Sequence, residues 1–389
     1  MATSIKSQSH SKTALLLGAG YCARALIPHL KSRGYHVVAT TRAQAKSGAL
    51  KDMGAQGLLY DGTMNAELKI AIVSSNIILS SIPPNSLGDP FLYGLDAPLL
   101  DLAKNTSWVG YLSATSVYGD RQGQWAYEDE LLRSTTARGK NRGLAELQWL
   151  ETGLPVHVFR LAGIYGPGRS NFQRLRDGKA RAVIKPGHIV NRIHVDDIVS
   201  AILASLDNPN PINIYNIADG HPAPPQDVVN FGADLLDIKR PPQLDHRTAN
   251  ISDMARSFYS ETKRVSIDRA TSELGWSPKY SNYRQGLMAT LKAEKGQTDS
   301  IWLSGYIEVP QEDLSQIKRA LPTHIRLSQQ EKDCDFFRIW QDKDQPTKFH
   351  VMESFNSAKA YHRHQARMKN SEWALISRKA TRHYDIIGL

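Results

Sequence analysis

Cysteine is nearly absent: the 389 residues include two, Cys22 and Cys334, too few for a disulfide framework or a cysteine-rich metal site. Long apolar stretches are missing too, with no run approaching the roughly 18 residues a membrane span needs. Residues Met1 to Lys12 are polar and lack the apolar core of a secretory leader, so a cytoplasmic protein without membrane association is expected. Acidic residues are outnumbered, 38 against 48 Lys and Arg, for a net charge of +10. The basic residues are interleaved with acids and form no stripe, which argues against a nucleic-acid surface and leaves a mild attraction for acidic or phosphorylated small ligands. A chain of this length exceeds one ordinary domain, so two are expected.

The strongest local signal is Thr13-Ala14-Leu15-Leu16-Leu17-Gly18-Ala19-Gly20-Tyr21-Cys22-Ala23, which reads as a strand, a tight turn and a helix start. Gly18 permits the turn, Gly20 lets backbone approach a phosphate, and Ala23 allows close packing of helix on strand. Ala23, Leu26, Ile27 and Leu30 recur at helical spacing, Gly34 ends the helix, and Tyr35 to Thr40 reads as a second buried strand. That βαβ opening is a dinucleotide cradle, its pyrophosphate on the helix N-terminus. The second strand ends in Thr40-Thr41-Arg42 with no carboxylate for ribose hydroxyls. A guanidinium there suits a 2′-phosphate, so NADP is expected over NAD.

Ile77 to Ile82 and Trp108 to Ser113 are continuous apolar runs closed by small polar residues, Phe91 to Asn105 has helical periodicity, and Pro155 to Leu161 supplies a later strand. Alternating strands and helices predict an α/β, doubly wound parallel sheet.

Three segments, Leu112-Ser113-Ala114-Thr115-Ser116-Val117-Tyr118-Gly119-Asp120, Arg160 to Gly168 and Ile193-His194-Val195-Asp196-Asp197-Ile198, resemble the extended short-chain dehydrogenase/reductases of the epimerase/dehydratase superfamily. Tyr215 to Asp219 and Leu274 to Lys279 extend the resemblance, which covers about residues 13–295. It implies a Rossmann core with a smaller substrate lobe, mainly residues 168–192 and 220–290. It also implies cofactor contacts at Gly18, Gly20, Tyr21, Ala23, Arg42, Asp61, Ser80, Ser81 and Gly163.

The chemistry departs from the family pattern. Where typical members carry Ser or Thr four residues before the Tyr of Val-Tyr-Gly, this chain has Ala114, flanked by Ser113 and Thr115. Where they carry Tyr-x-x-x-Lys before a helical Glu, counting back from Glu146 gives Arg138 and Arg142. Arginine titrates above about 12, so it can clamp an anion but is a poor acid or base. Thr115 and Tyr118 are therefore the expected proton-handling groups, with Ser113 beside them and with Arg138 and Arg142 orienting an anionic small-molecule substrate. Such losses resemble the atypical, YeeZ-like subgroup. A Tyr-x-x-x-Lys does occur in letters at Tyr259 to Lys263, but after the substrate-lobe segments, where an exposed loop is expected.

Glu294 to Ser300 reads as a polar linker, with the break placed at 296–300. Beyond it, strands at 301–309, 335–340, 348–355 and 381–387 with helices at 311–327 and 358–377 give a βαββαβ, ferredoxin-like α+β order. Phe349 to Phe355, Ala360 to Arg367 and Ser371-Glu372-Trp373 resemble the antibiotic-biosynthesis-monooxygenase (quinol-monooxygenase) domains. The resemblance implies a pocket lined by His364 and Trp373 and a homodimer formed through this domain. His362 and His364 point to different helix faces and His350 and Glu353 to opposite strand faces, so no metal is expected.

Three functions follow: an NADP-dependent aldehyde, ketone or nucleotide-sugar-like carbonyl reductase; a quinone or aromatic redox protein using both domains; and a catalytically silent NADP-binding module.

Overall fold

The computed structural model describes residues 12–252, 256 and 258–389; the tail expected over 1–12 lies outside these apart from Lys12. The chain divides into two compact units. The first comprises the residues up to Tyr165 together with Ile184–Pro224 and Asp245–Ser281; the second comprises Gly166–Val183, Pro225–Leu244 and Asn282–Leu389.

In the first unit the apolar runs form a seven-stranded parallel sheet: β1 (Thr13–Leu17), β2 (His36–Thr41), β3 (Gln56–Leu59), β4 (Ile77–Ser80), β5 (Trp108–Ala114), β6 (Val156–Leu161) and β7 (Asn213–Ile217). The order is β7-β6-β5-β4-β1-β2-β3, so the winding reverses beside β1, where such sheets bind ligands. β1 is apolar from Ala14 to Leu17 because both its faces are covered: Ala14 and Leu16 enter one core, Leu15 and Leu17 the other. Helices α1 (Tyr21–Ser32), α2 (Ala137–Leu150) and α3 (Val195–Asp207) supply the covering layers.

The helix expected over Phe91 to Asn105 is two short ones, Pro90–Tyr93 and Leu99–Leu102. Gly94 closes the first, and Pro98, without an N–H and with its φ fixed, stands at the start of the second, so the apolar spacing cannot run through as one helix.

The second unit contains β8 (Ile301–Glu308), β9 (Cys334–Gln341), β10 (Lys348–Phe355) and β11 (Thr381–Ile387), antiparallel in the order β9-β10-β8-β11. Leu303 and Ile307 of β8, Phe337 and Ile339 of β9, and Phe349 and Val351 of β10 share one core. That core includes residues of α5 (Leu314–Gln329), α6 (Ala358–Lys369) and α7 (Glu372–Ile376), after α4 (Tyr283–Glu294). The helix expected across 358–377 is interrupted: Asn370 ends α6 and Ser371, in extended conformation, starts α7. By packing, this unit also takes in α4, which lies before the linker read at 296–300. Asn282 and Gln285 donate to the Asp385 carboxylate of β11, at 2.9 and 3.0 Å.

Asp89 ties the first unit together around β4. Fully buried, its carboxylate accepts from Trp149 Nε1 (2.7 Å), Ser80 Oγ (3.1 Å) and the Phe91 amide (2.9 Å), and burial pushes its pKa up. Asp89→Ala strands these buried donors, at about 1–3 kcal/mol for each one left unpaired, so urea unfolding is expected to show a loss of about 3 kcal/mol. A loss below about 1 kcal/mol would mean that water replaces the carboxylate.

Candidate active site

The glycine turn is built as the sequence requires. Gly18 has φ +85°, its N–H donates to Thr40 Oγ1 at 2.7 Å, and Ser81 Oγ donates to its carbonyl at 2.6 Å. β2 and the loop after β4 thus brace the turn from two sides. Gly20 caps α1 with no side-chain hydrogen bond, and the first helical turn, beginning at Tyr21, carries no acid. The nearest atoms to a Cβ built at Gly20 lie at 3.7 and 3.9 Å, so the concavity is open there. A helix N-terminus without a side-chain cap, positive by its dipole, fits a pyrophosphate. Ala23 is buried against the sheet, and Arg42 is exposed just beyond β2. Asp61 is exposed after β3, its carboxyl held below the usual range mainly by the Thr63 N–H.

Beside this, at the carboxyl ends of β5 and β6, lies a cavity of about 200 Å³ lined by Ala114, Thr115, Ser116, Arg138, Leu161, Gly163, Asn191, Glu261 and Lys263 among others. Arg138 reaches it because α2 comes close to the turn after β5. At Gly139 a Cβ would stand 2.5 Å from the Ser116 carbonyl oxygen, so only glycine permits the approach. Ser116 Oγ is buried and has no partner.

Of the expected catalytic groups, the structure brings Thr115 and Arg138 to this cavity and turns three others into the fold. Ser113 is buried and donates to Glu146 Oε1, whose carboxylate is paired with Arg160 at 2.8 Å. Tyr118 is fully buried, donating to Asn216 Oδ1 at 2.7 Å and accepting from Arg160 Nη1 at 2.9 Å. Burial foremost pushes its pKa up to about 12, too high for proton transfer near neutrality. Arg142 donates to the Leu112 carbonyl at 2.6 Å and to Tyr111 Oη at 3.3 Å, bracing β5. Ser80, expected at the cofactor, is buried on Asp89, whereas Ser81 supports the turn through its hydroxyl.

Sequence reading passed over Ser116 and Asn191 and set Tyr259 to Lys263 aside as an exposed loop, whereas Lys263 is 8% exposed and, with Glu261, lines the cavity. The letters Tyr259 to Lys263 carried a signal, yet the spacing that matters is in space. Asn191 Nδ2 donates to the Lys263 carbonyl at 2.9 Å, and Asn191 Oδ1 accepts the Val265 N–H at 3.0 Å, holding this late segment against the cavity.

A family model for the NAD dependent epimerase/dehydratase family matches residues 14–218, just over half of the chain. The chain belongs to that family. Protein YeeZ of Escherichia coli (strain K12) is 31% identical over 230 residues, 54% of this chain and 80% of YeeZ. A functionally unknown conserved protein from Silicibacter pomeroyi DSS is 44% identical, with a TM-score of 0.69 over 72% of this chain and 99% of its own. The fold is shared with dTDP-glucose 4,6-dehydratase from Bacillus anthracis str. Ames, whose structure is a complex with NAD: TM-score 0.58, 19% identity, 73% of this chain and 97% of that one.

In the second unit of this family member, His364 and Trp373 line a small cavity of about 30 Å³ with His324, Glu353 and Tyr384. Trp373 stacks on His324 with centroids 4.5 Å apart. His364 Nδ1 is 3.1 Å from Glu331 and its Nε2 3.3 Å from Glu353. Burial pushes Glu353 up to about 8, lowers His364, and takes His324 down to about 3. The folded chain therefore keeps the Glu353 proton up to about pH 8, while the unfolded chain releases it near 4.5. Unfolding in that interval sheds a proton, so this contribution is full below 4.5 and is lost as pH rises through 8. The two histidines act oppositely, but only below their ordinary 6.5. Thermal unfolding of the second unit is expected to show falling stability from pH 6.5 to 8 in the wild type and a flat profile in Glu353→Gln. A slope shared by both would assign it to other groups.

Proposed function

We propose that this chain is an NADP-dependent oxidoreductase that reduces the carbonyl group of an anionic small molecule, an aldehyde, a ketone or a nucleotide-sugar-like compound. The observation that carries the reading is the cavity at the ends of β5 and β6, which Thr115, Ser116 and Arg138 line together. Doubly wound sheets place ligands at this edge, near the switch in strand order. Arg138 is exposed and makes no hydrogen bond or ion pair among the described residues, so its charge is available to a carboxylate or phosphate. Arg42 at the end of β2 supports NADP over NAD. When bound, the cofactor would supply the hydride, with Gly18, Gly20 and the start of α1 holding its pyrophosphate.

A second reading, an NADP-binding module without turnover, is favoured by one observation: Ser113, Tyr118 and Arg142 all serve the fold. For residues 301–389 the strand order supports a ferredoxin-like domain. Its 30 Å³ cavity has room for about two water molecules, which weighs against an aromatic substrate and hence against the two-domain quinone reading.

Titration of the protein with NADPH and NADH, followed by cofactor fluorescence, tests the cofactor. NADPH is expected to bind tighter, and Arg42→Asp to weaken it about 10–100-fold, the worth of a charge-assisted hydrogen bond. Equal binding of both cofactors would remove the NADP assignment. With carboxylate-bearing aldehydes, Arg138→Gln is expected to raise KM about tenfold or more while leaving the affinity for NADPH unchanged. Tight NADPH binding with no turnover across the panel would favour the silent module.

A further inference from the structure

Carbonyl reduction requires a proton as well as a hydride, and the groups that usually give it are absent or turned away. Arg138 keeps its proton, and Tyr118 and Ser113 lie in the fold. The hydroxyls of Thr115 and Ser116 are alcohols, which do not release a proton near neutrality unaided. Two titratable groups remain among the described residues of the cavity wall, Lys263 and its partner Glu261.

Lys263 is 8% exposed, and its Nζ stands 2.7 Å from Glu261 Oε2. Glu261 Oε1 is buried and has no hydrogen-bond partner among the described residues. The backbone around the pair is fixed at several points. Asn191 grips Lys263 and Val265, the Thr262 N–H donates to Asp120 Oδ1 at 2.7 Å, and Thr262 Oγ1 lies 2.6 Å from His188 Nδ1. Arg264 and Val265 pair in parallel with Trp125 and Ala126. A lysine on so constrained a segment is positioned, and an amine is the type of group that gives and regains protons in a partly buried site.

We propose that Lys263 is the proton donor of this cavity and that Glu261 is the positioning residue that holds its ammonium toward the substrate. This rests on the carbonyl-reduction reading. Bound reduced nicotinamide would supply the hydride to the carbonyl carbon, whose π pair would move onto oxygen. The Nζ–H bond breaks, the new O–H bond forms, and the neutral amine regains a proton from water. The acid of this site would thus come from a segment more than a hundred residues after α2, the helix that carries the family's usual pair.

The test uses the full chain with NADPH and, as probes, glyoxylate and 4-carboxybenzaldehyde. Lys263→Ala leaves Glu261 unpaired, so the double variant Glu261→Gln/Lys263→Met is made beside it and both are checked by urea unfolding. Loss of kcat by about 10²–10⁴-fold is expected in each, the usual worth of a general acid, with NADPH fluorescence titrations unchanged. Added methylammonium is expected to restore part of the rate in Lys263→Ala, and a series of amines to do so according to their acidity, which a merely structural lysine would not give. Retention of kcat within about threefold, or loss without amine rescue in folded protein, would overturn the role of Lys263 and leave the reductase reading standing. Failure of the wild type to bind NADPH or to reduce either probe would overturn both.

Discussion

The ion pair between Glu146 on α2 and Arg160 on β6 is the constraint on which the first unit's architecture turns. Both side chains are almost wholly buried, 2% and 3% exposed, and such a pair is tolerated only where its remaining hydrogen-bonding capacity is satisfied. Arg160 meets that condition with Glu146, Tyr118 Oη and the Glu128 carbonyl; Glu146 meets it with Arg160 and Ser113. Tyr118 then reaches Asn216 on β7. Five elements are bound into one polar network inside an apolar sheet, and removing either charge would leave the other uncompensated, at about 3–5 kcal/mol.

This network also decides which chemistry is available. Ser113 precedes Ala114, the position at which the family carries a hydroxyl, and Tyr118 follows it by four residues, but the oxygens of both complete the shell of a buried ion pair, and burial makes the Tyr118 proton harder to remove. The cavity is left with Thr115, Ser116, Arg138 and the pair Glu261–Lys263. On the reading proposed above, an arginine and a separate lysine–glutamate pair would divide between them what the family's Tyr-Lys couple does on one helix.

Much of the fold was legible because it rests on local chemistry. The Gly18 turn, the runs that became β1, β4 and β5, and the strands at 348–355 and 381–387 follow from glycine freedom and burial on one or both faces, which neighbouring letters report. The helix over 91–105 was misread because periodicity was weighed without the breaks at Gly94 and Pro98. The direction of Ser113 and Tyr118 was not legible at all, since it depends on Arg160, 42 residues from Tyr118. Lys263 was seen but discounted for the same reason: its backbone carbonyl is held by Asn191, 72 residues away, and neighbouring letters do not report that contact.

Arg138 and Arg142 show how far identical residues one turn apart can diverge. They stand about 6 Å apart along α2, four residues at 1.5 Å each, and equal roles are the natural expectation. Arg142, however, lies alongside β5, where the Leu112 carbonyl and Tyr111 Oη accept from it. Arg138 lies beyond the end of that strand, at the turn from Thr115 to Tyr118, where it makes no hydrogen bond or ion pair among the described residues. A guanidinium at a cavity mouth with no internal acceptor gains most from an anion supplied by a ligand, whereas one already bonded to the sheet would have to give up those bonds first. The strand's end, more than the residue type, separates the arginine that holds the fold from the one positioned to hold a substrate.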